Sequence, residues 1–140
     1  MHKQAKIGNK RYCFKSLLEY DYALSLEANP CIASWEYESD LFLFFPKYNS
    51  FKLDRFKFPN VKRIYFSTSN SVPKNNKAKH YLIDFRITIK GGYSLNNNIH
   101  YHETKGIYKP LCQAKVSGMF KYHGINVKII KRSDLNRVKI

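Results

Sequence analysis

Two β-patterned runs, residues 81–89 and 99–105, stand either side of Gly91-Gly92-Tyr93-Ser94-Leu95-Asn96-Asn97-Asn98. Glycine and asparagine supply the turn conformations that bring such runs together as arms of one hairpin. Side chains alternate along a strand, so Tyr81, Ile83, Phe85, Ile87 and Ile89 share one face of the first arm. Leu82, Asp84 and Arg86 take the other. In the second arm, Ile99-His100-Tyr101-His102-Glu103-Thr104-Lys105, the same alternation points Glu103 and Lys105 in one direction. Folding symmetrically about the loop sets Asp84 opposite Lys105 and diagonal to Glu103. Two carboxylates and a lysine on one face make a candidate site for a hard divalent cation and its water.

The surrounding chain supplies helices for this hairpin to pack against. Ser16-Leu17-Leu18-Glu19 has the capping-box pattern and opens a helix over residues 15–28, stopped by Asn29-Pro30. Leu17, Tyr20 and Leu24 on one side and Leu18, Tyr22 and Leu26 on the other leave it broadly apolar, as if wedged against a sheet. Glu19 carries two readings: a cap for a backbone donor, or a third carboxylate aimed at the metal site. Residues 31–45 read as extended with a break near Ser39-Asp40, as in a bulged strand or a hairpin. Glu36 and Glu38 alternate with Trp35 and Tyr37 and are expected to face solvent or basic partners, with Glu38 ranked below Glu19 as a ligand. A second helix is expected over residues 111–123, with Cys112, Val116, Met119 and Phe120 as its apolar stripe and Gly124 closing it. A strand over 125–130 follows; strand, helix, strand is a crossover and predicts parallel neighbours. The fold class is α/β, a small mixed β-sheet flanked by helices, in one domain of 140 residues.

Charge narrows the partner. Lys+Arg 25 against Asp+Glu 10 leaves a formal charge of +15, which favours a polyanion, most often nucleic acid. Residues 46–79 alternate cations with aromatics and read as a basic, aromatic insertion able to clamp nucleic acid, or as an edge hairpin whose lysines only block association. Lys52, Arg55, Lys57, Lys62, Arg63, Lys109 and Lys115 are the candidate nucleic-acid contacts. Residues 1–11 read as a flexible basic arm and residues 131–140 as a basic tail. Cys13, Cys31 and Cys112 are odd in number and widely spaced, which argues against a disulfide framework. With no signal peptide and no apolar run of membrane length, an intracellular, unsecreted chain is expected.

The chemistry follows from the residue types. Mg²⁺ takes oxygen ligands and keeps several waters, so Asp84 and Glu103 with phosphate oxygens are enough to hold it, and the Thr104 carbonyl adds a further oxygen. Lys105 is placed to orient or deprotonate a water and to stabilise charge developing on phosphate. His80, His100, His102 and His123 invite a zinc reading, but His100 and His102 lie on the face opposite Glu103 and no fourth ligand stands at zinc spacing. Tyr101 and Tyr108 are near enough to the site to contact a phosphate, with packing the role expected first.

A helix with Ser-x-x-Glu, then Asp84, then Glu103-Thr104-Lys105-Gly106, then helix and strand, resembles the PD-(D/E)xK nuclease superfamily. Within it the chain looks most like phage endonuclease I, TnsA-type transposase endonucleases and phage head-completion nucleases. The resemblance covers residues 12–45 and 80–131. It implies a restriction-endonuclease-like core, Asp84, Glu103 and Lys105 as the catalytic set, and Glu19 as the helix carboxylate. The family's proline is absent, with Ile83 in its place. The expected function is a Mg²⁺- or Mn²⁺-dependent DNA endonuclease, phage- or mobile-element-type, acting as a homodimer or with a protein partner where both strands are cut. The alternatives are a non-catalytic nucleic-acid-binding or virion-assembly protein with the same fold, and a ribonuclease.

Overall fold

One hairpin and the helix that follows it build the first half of the core. The structure is a computed structural model and describes residues 2–44, 52–67, 79–91 and 98–137. Strands β1 (Lys3–Ile7) and β2 (Lys10–Phe14) pair antiparallel, so the N-terminal segment expected as a flexible arm is an ordered hairpin. Its aromatics explain why. Tyr12 stacks on Trp35 at 5.1 Å and Phe14 meets Tyr37 at 4.9 Å, burying Phe14 completely. Helix α1 (Leu17–Ala28) starts at Ser16, whose side chain accepts the Glu19 N–H. Leu18, Tyr22 and Leu26 turn inward, each burial stabilising the fold by roughly 1.5–3 kcal/mol. Leu17 and Leu24 are exposed, so the helix buries one stripe and is not apolar all round.

Strands β3 (Ile32–Tyr37), β7 (Phe85–Ile89), β8 (Ile99–Thr104) and β9 (Lys128–Ile130) form a four-stranded sheet in the order β3-β7-β8-β9. The first two pairings are antiparallel and β8–β9 is parallel, with α2 (Pro110–His123) as the connecting crossover. Phe85 and Ile87 face α1 and the short α3 (Arg132–Arg137), whose Leu135 is buried in the same cluster. Part of the expected basic tail is therefore core structure. Tyr101 of β8 faces the other way, toward Met119 of α2. Helices thus cover both faces of a mixed sheet. Gly124 closes α2 in the left-handed region at φ 68°, its N–H reaching Phe120 O and that of Ile125 reaching Met119 O. Phe120, expected in the stripe, is 61% exposed. No helix among the described residues is long and apolar enough to cross a membrane.

A second sheet grows from the first at a bulge. Strands β4 (Asp40–Leu43), β5 (Arg63–Tyr65) and β6 (His80–Leu82) take the order β5-β4-β6. Tyr37 pairs with Phe85, the Glu38 N–H donates to Asp84 O at 2.8 Å, and the ladder resumes at Leu41 with Leu82. Between these points Ser39 and Asp40 oppose Ile83 alone. Such a bulge bends both strands and re-aims the side chains beside it. The continuous strand expected over 81–89 is consequently broken at Ile83-Asp84. The added sheet spans residues 40–82, wider than the expected 46–79; expectations resting on 46–51, 68–78 and the turn residues 92–97 lie outside the described residues.

Candidate active site

The bulge sits where the candidate site is. One step beyond the Phe85–His102 pairing, Asp84 comes across from Glu103, and its N–H donates to Glu103 Oε1 at 2.9 Å. The expected partner was Lys105, two residues further on. A two-residue slip leaves every side chain on its original face, so alternation alone does not distinguish the two registers. Thr104 completes the lock, its N–H and Oγ1 both donating to Asp84 Oδ2 at 3.0 and 2.9 Å. Thr104, expected to offer a carbonyl to a cation, is thus seen holding a carboxylate in place.

Glu19 takes the capping role, and its charge also acts on Asp84. From the third position of α1 its Oε1 accepts the Lys15 N–H at 2.8 Å, one residue before the Ser16 donor of the usual box. The same oxygen accepts the Tyr37 hydroxyl at 2.6 Å, which fixes it beneath β3. There its charge reaches Asp84. Burial, then Glu103, then Glu19 push the Asp84 carboxyl well above the usual carboxylate range. Burial also raises Glu103, against the Asp84 N–H and Lys105, whose ammonium lies 4.0 Å from Glu103 Oε2.

Glu38, ranked low from the sequence, belongs to this cluster. It is buried at φ 50°, with Lys15 Nζ 2.6 Å from its carboxylate, and burial raises its carboxyl despite that lysine. The polar Glu38-Ser39-Asp40 break in an apolar run was the available signal for it. Tyr81 was missed as well. Its hydroxyl is buried beside Glu103 and Cys112, and burial first, then the Glu103 charge, raises it above the usual phenol value.

The other candidates divide. Lys105, Lys109 and Lys115 line a cleft of about 460 Å³ whose wall includes Glu103. Lys62 and Arg63, expected to meet phosphate, pair with Glu36, and Arg63 also with Asp40. Those carboxylates join Arg86 and Tyr101 in one network between the two sheets. Arg55 donates to Val61 O, while Lys57 lies over the Phe58 ring; Lys52 is exposed. The histidines do not converge: His102 meets Tyr22 on the α1 face, and His123 meets Leu43 O.

Among the described residues no three His, Cys, Asp or Glu side chains are arranged to hold a metal ion by themselves. The donor set still suits a hard cation that keeps its waters. Asp84 and Glu103 offer oxygen alone, and burial raises both carboxyls. No protein-family model matches the chain, and no curated protein matches it at a significant level.

Proposed function

We propose that the chain is a metal-dependent DNA endonuclease of the PD-(D/E)xK type, hydrolysing phosphodiester bonds with Mg²⁺ or Mn²⁺. The observation that carries this reading is the interlock of Asp84 with Glu103 beside Lys105, at the ends of the central strands β7 and β8 of a β3-β7-β8-β9 sheet, with the Glu19 charge acting on Asp84 from α1. Asp84 and Glu103 would hold the cation. When bound it supplies positive charge against phosphate oxygens and a more acidic water. Thr104 keeps Asp84 oriented, and Tyr37 keeps Glu19 oriented. Lys105 Nζ, half exposed at the cleft, orients the attacking water and balances the charge that develops on the phosphate. A charge of +15 favours the polyanionic substrate.

A non-catalytic nucleic-acid-binding or virion-assembly protein on the same fold is favoured by one observation, the Lys15 ammonium already seated on Glu38. Incubation with junction, duplex, nicked and single-stranded DNA, and with RNA of matching sequence, separates the readings. The nuclease cuts only with Mg²⁺ or Mn²⁺, and Lys105→Ala abolishes cutting while DNA binding stays near wild type. A wild-type chain that binds every DNA form and cuts none sinks the hydrolase reading.

A further inference from the structure

The β1–β2 hairpin turns an unbalanced positive face to solvent. Its register sets Lys3, Ala5 and Ile7 with Lys10, Tyr12 and Phe14 on one side, and Gln4 and Lys6 with Arg11 and Cys13 on the other. The first side packs on the fold. Tyr12 and Phe14 meet Trp35 and Tyr37, Ile7 is buried, and Lys3 and Lys10 lie over the rings of Tyr20 and Tyr12. The second side is exposed at all four residues, and there Lys6 stands directly opposite Arg11. Like charges in that position destabilise a strand pair. Among the described residues, which include all ten acidic ones, no carboxylate pairs with either cation. The two whose charge reaches Tyr12 are engaged elsewhere, Glu27 by the Trp35 indole N–H and Glu36 by Lys62, Arg63 and Arg86.

The same face says which polyanion suits it. A single strand is held by rings on which its bases stack. Here the rings of Tyr12 and Phe14 are turned inward, and the outer side chains are Gln4, Lys6, Arg11 and Cys13. A duplex keeps its bases stacked on one another and offers phosphate, and its major groove admits a two-stranded ribbon. The ribbon also leads to the candidate site. Phe14 meets Tyr37, which holds Glu19, and the next residue, Lys15, has its ammonium on Glu38. Arg11 stands roughly 10 Å up the strand from Phe14.

We infer that the outer face of β1–β2 binds duplex DNA beside the Asp84–Glu103 site, with Lys6 and Arg11 on backbone phosphates. Arg11 offers a planar fork to one phosphate and Lys6 a point charge to another. The choice of DNA rests on the proposed nuclease reading; the anionic partner rests on the Lys6–Arg11 pair, and the duplex on the inward rings.

The full chain is tested without metal, so that binding is read apart from cutting. A short labelled duplex and its single strand are titrated by fluorescence anisotropy across a salt series, for wild type, Lys6→Gln, Arg11→Gln and Lys6→Glu. Lys90→Gln, after β7, and Lys128→Gln, on β9, are exposed lysines away from the hairpin and serve as comparison. Lys6→Gln and Arg11→Gln each weaken duplex binding several-fold and flatten the slope of log affinity against log salt by about 0.9, the value for one lost phosphate contact. Both leave single-strand binding as in wild type, and the comparison variants keep the wild-type duplex slope. Lys6→Glu faces Arg11 with an opposite charge, so its melting temperature does not fall while its duplex affinity drops furthest. Equal losses in all five variants, losses as large on the single strand, or wild-type duplex affinity in Lys6→Glu overturn duplex binding by this face. So does binding to phosphatidylserine vesicles that depends on Lys6 and Arg11 while duplex binding does not. Slopes that flatten as expected in a chain that never cuts keep this face and remove only the nuclease reading; cutting with unchanged slopes does the reverse.

Discussion

The backbone N–H of Asp84 donates to Oε1 of Glu103 at 2.9 Å, so the chain itself fixes the Glu103 carboxylate against the Asp84 backbone. Burial then works against the charge of both carboxylates. A carboxyl raised in the folded state binds a proton that the unfolded chain has already lost. Its contribution to stability is therefore complete at low pH, below the ordinary carboxylate value, and is lost as pH rises through the raised folded value. Asp84→Asn removes this penalty while keeping an acceptor for Thr104. At neutral pH the metal-free variant should melt higher, by about 3–5 °C, on the order of 1 kcal/mol. Mg²⁺ or Mn²⁺ should raise the melting temperature of wild type and leave the variant unmoved. A variant that melts lower means Asp84 is a structural carboxylate.

Lys15 places a tethered cation in the same acidic place. Burial works against its ammonium, yet Glu38 foremost, then Glu19 and Asp84, lift it above the usual lysine value. A divalent ion entering the site meets that positive charge. Lys15→Met should tighten Mn²⁺ binding several-fold, about 1 kcal/mol, and destabilise the metal-free chain by about as much through the unpaired Glu38. Calorimetric titration and thermal melting check the two effects separately. Weaker Mn²⁺ binding would show that Lys15 supports the site and does not compete for it.

How much of this was legible in the sequence depends on the range of the interaction. Ser16-x-x-Glu19 and Gly124 act within a turn or two, and both helix ends fall where those residues put them. The parallel β8–β9 pair follows from the crossover rule. The register of Asp84 did not, because a two-residue slip preserves the face pattern. The N-terminal hairpin escaped because Lys3, Lys6, Lys10 and Arg11 read as solvated, while the order comes from Tyr12 and Phe14 meeting aromatics of β3. The ion pairs of Arg63 were not legible for the same reason: its partners Glu36 and Asp40 lie more than twenty residues away.

Asp40 is 1% exposed and joins the two sheets. Its Oδ1 accepts from Ser39 and Arg63, and its Oδ2 accepts from Tyr101 and lies 3.3 Å from Arg86 Nε. Removing one partner of a buried ionic group leaves the others uncompensated. Asp40→Ala should cost about 3–5 kcal/mol in urea unfolding, whereas Lys52→Ala, on the exposed surface, should change stability by less than about 0.5 kcal/mol. A loss below about 1 kcal/mol for Asp40→Ala means the network is loosely hydrated and not a joint.

Gly118 lies in the interior of α2, where alanine ordinarily stabilises by about 1 kcal/mol. Here an added Cβ would stand 2.7 Å from Phe44 Cε2 and 3.0 Å from Cδ2. Phe44 is fully buried, with Tyr122 and His123 beside it at ring separations of 5.6 and 6.1 Å, so the ring has little room to swing. Gly118→Ala should destabilise by about 1–3 kcal/mol despite the better helix former. A rise in the urea midpoint would mean that Phe44 moves freely and that α2 packs less closely on β4.

His102 gives the opposite pH signature from the carboxylate pair, on the opposite face of the sheet. Burial first, then Lys128 and His100, lower its imidazole from 6.5 to about 4, and its Nδ1 is engaged by the Tyr22 hydroxyl. The unfolded chain takes up a proton near pH 6.5 that the folded chain refuses until about pH 4. Stability from this group is therefore complete above pH 6.5 and lost as pH falls toward 4. Partial exposure of the ring limits the effect to on the order of 2 kcal/mol. His102→Asn keeps a group that can pair with Tyr22 and removes the titration. Subtracting its urea stability from wild type across this range should isolate a curve that falls with acid, while Asp84→Asn treated in the same way should isolate one that rises. A flat difference for His102→Asn would place the imidazole in water, and with it the packing of Tyr22 between α1 and β8.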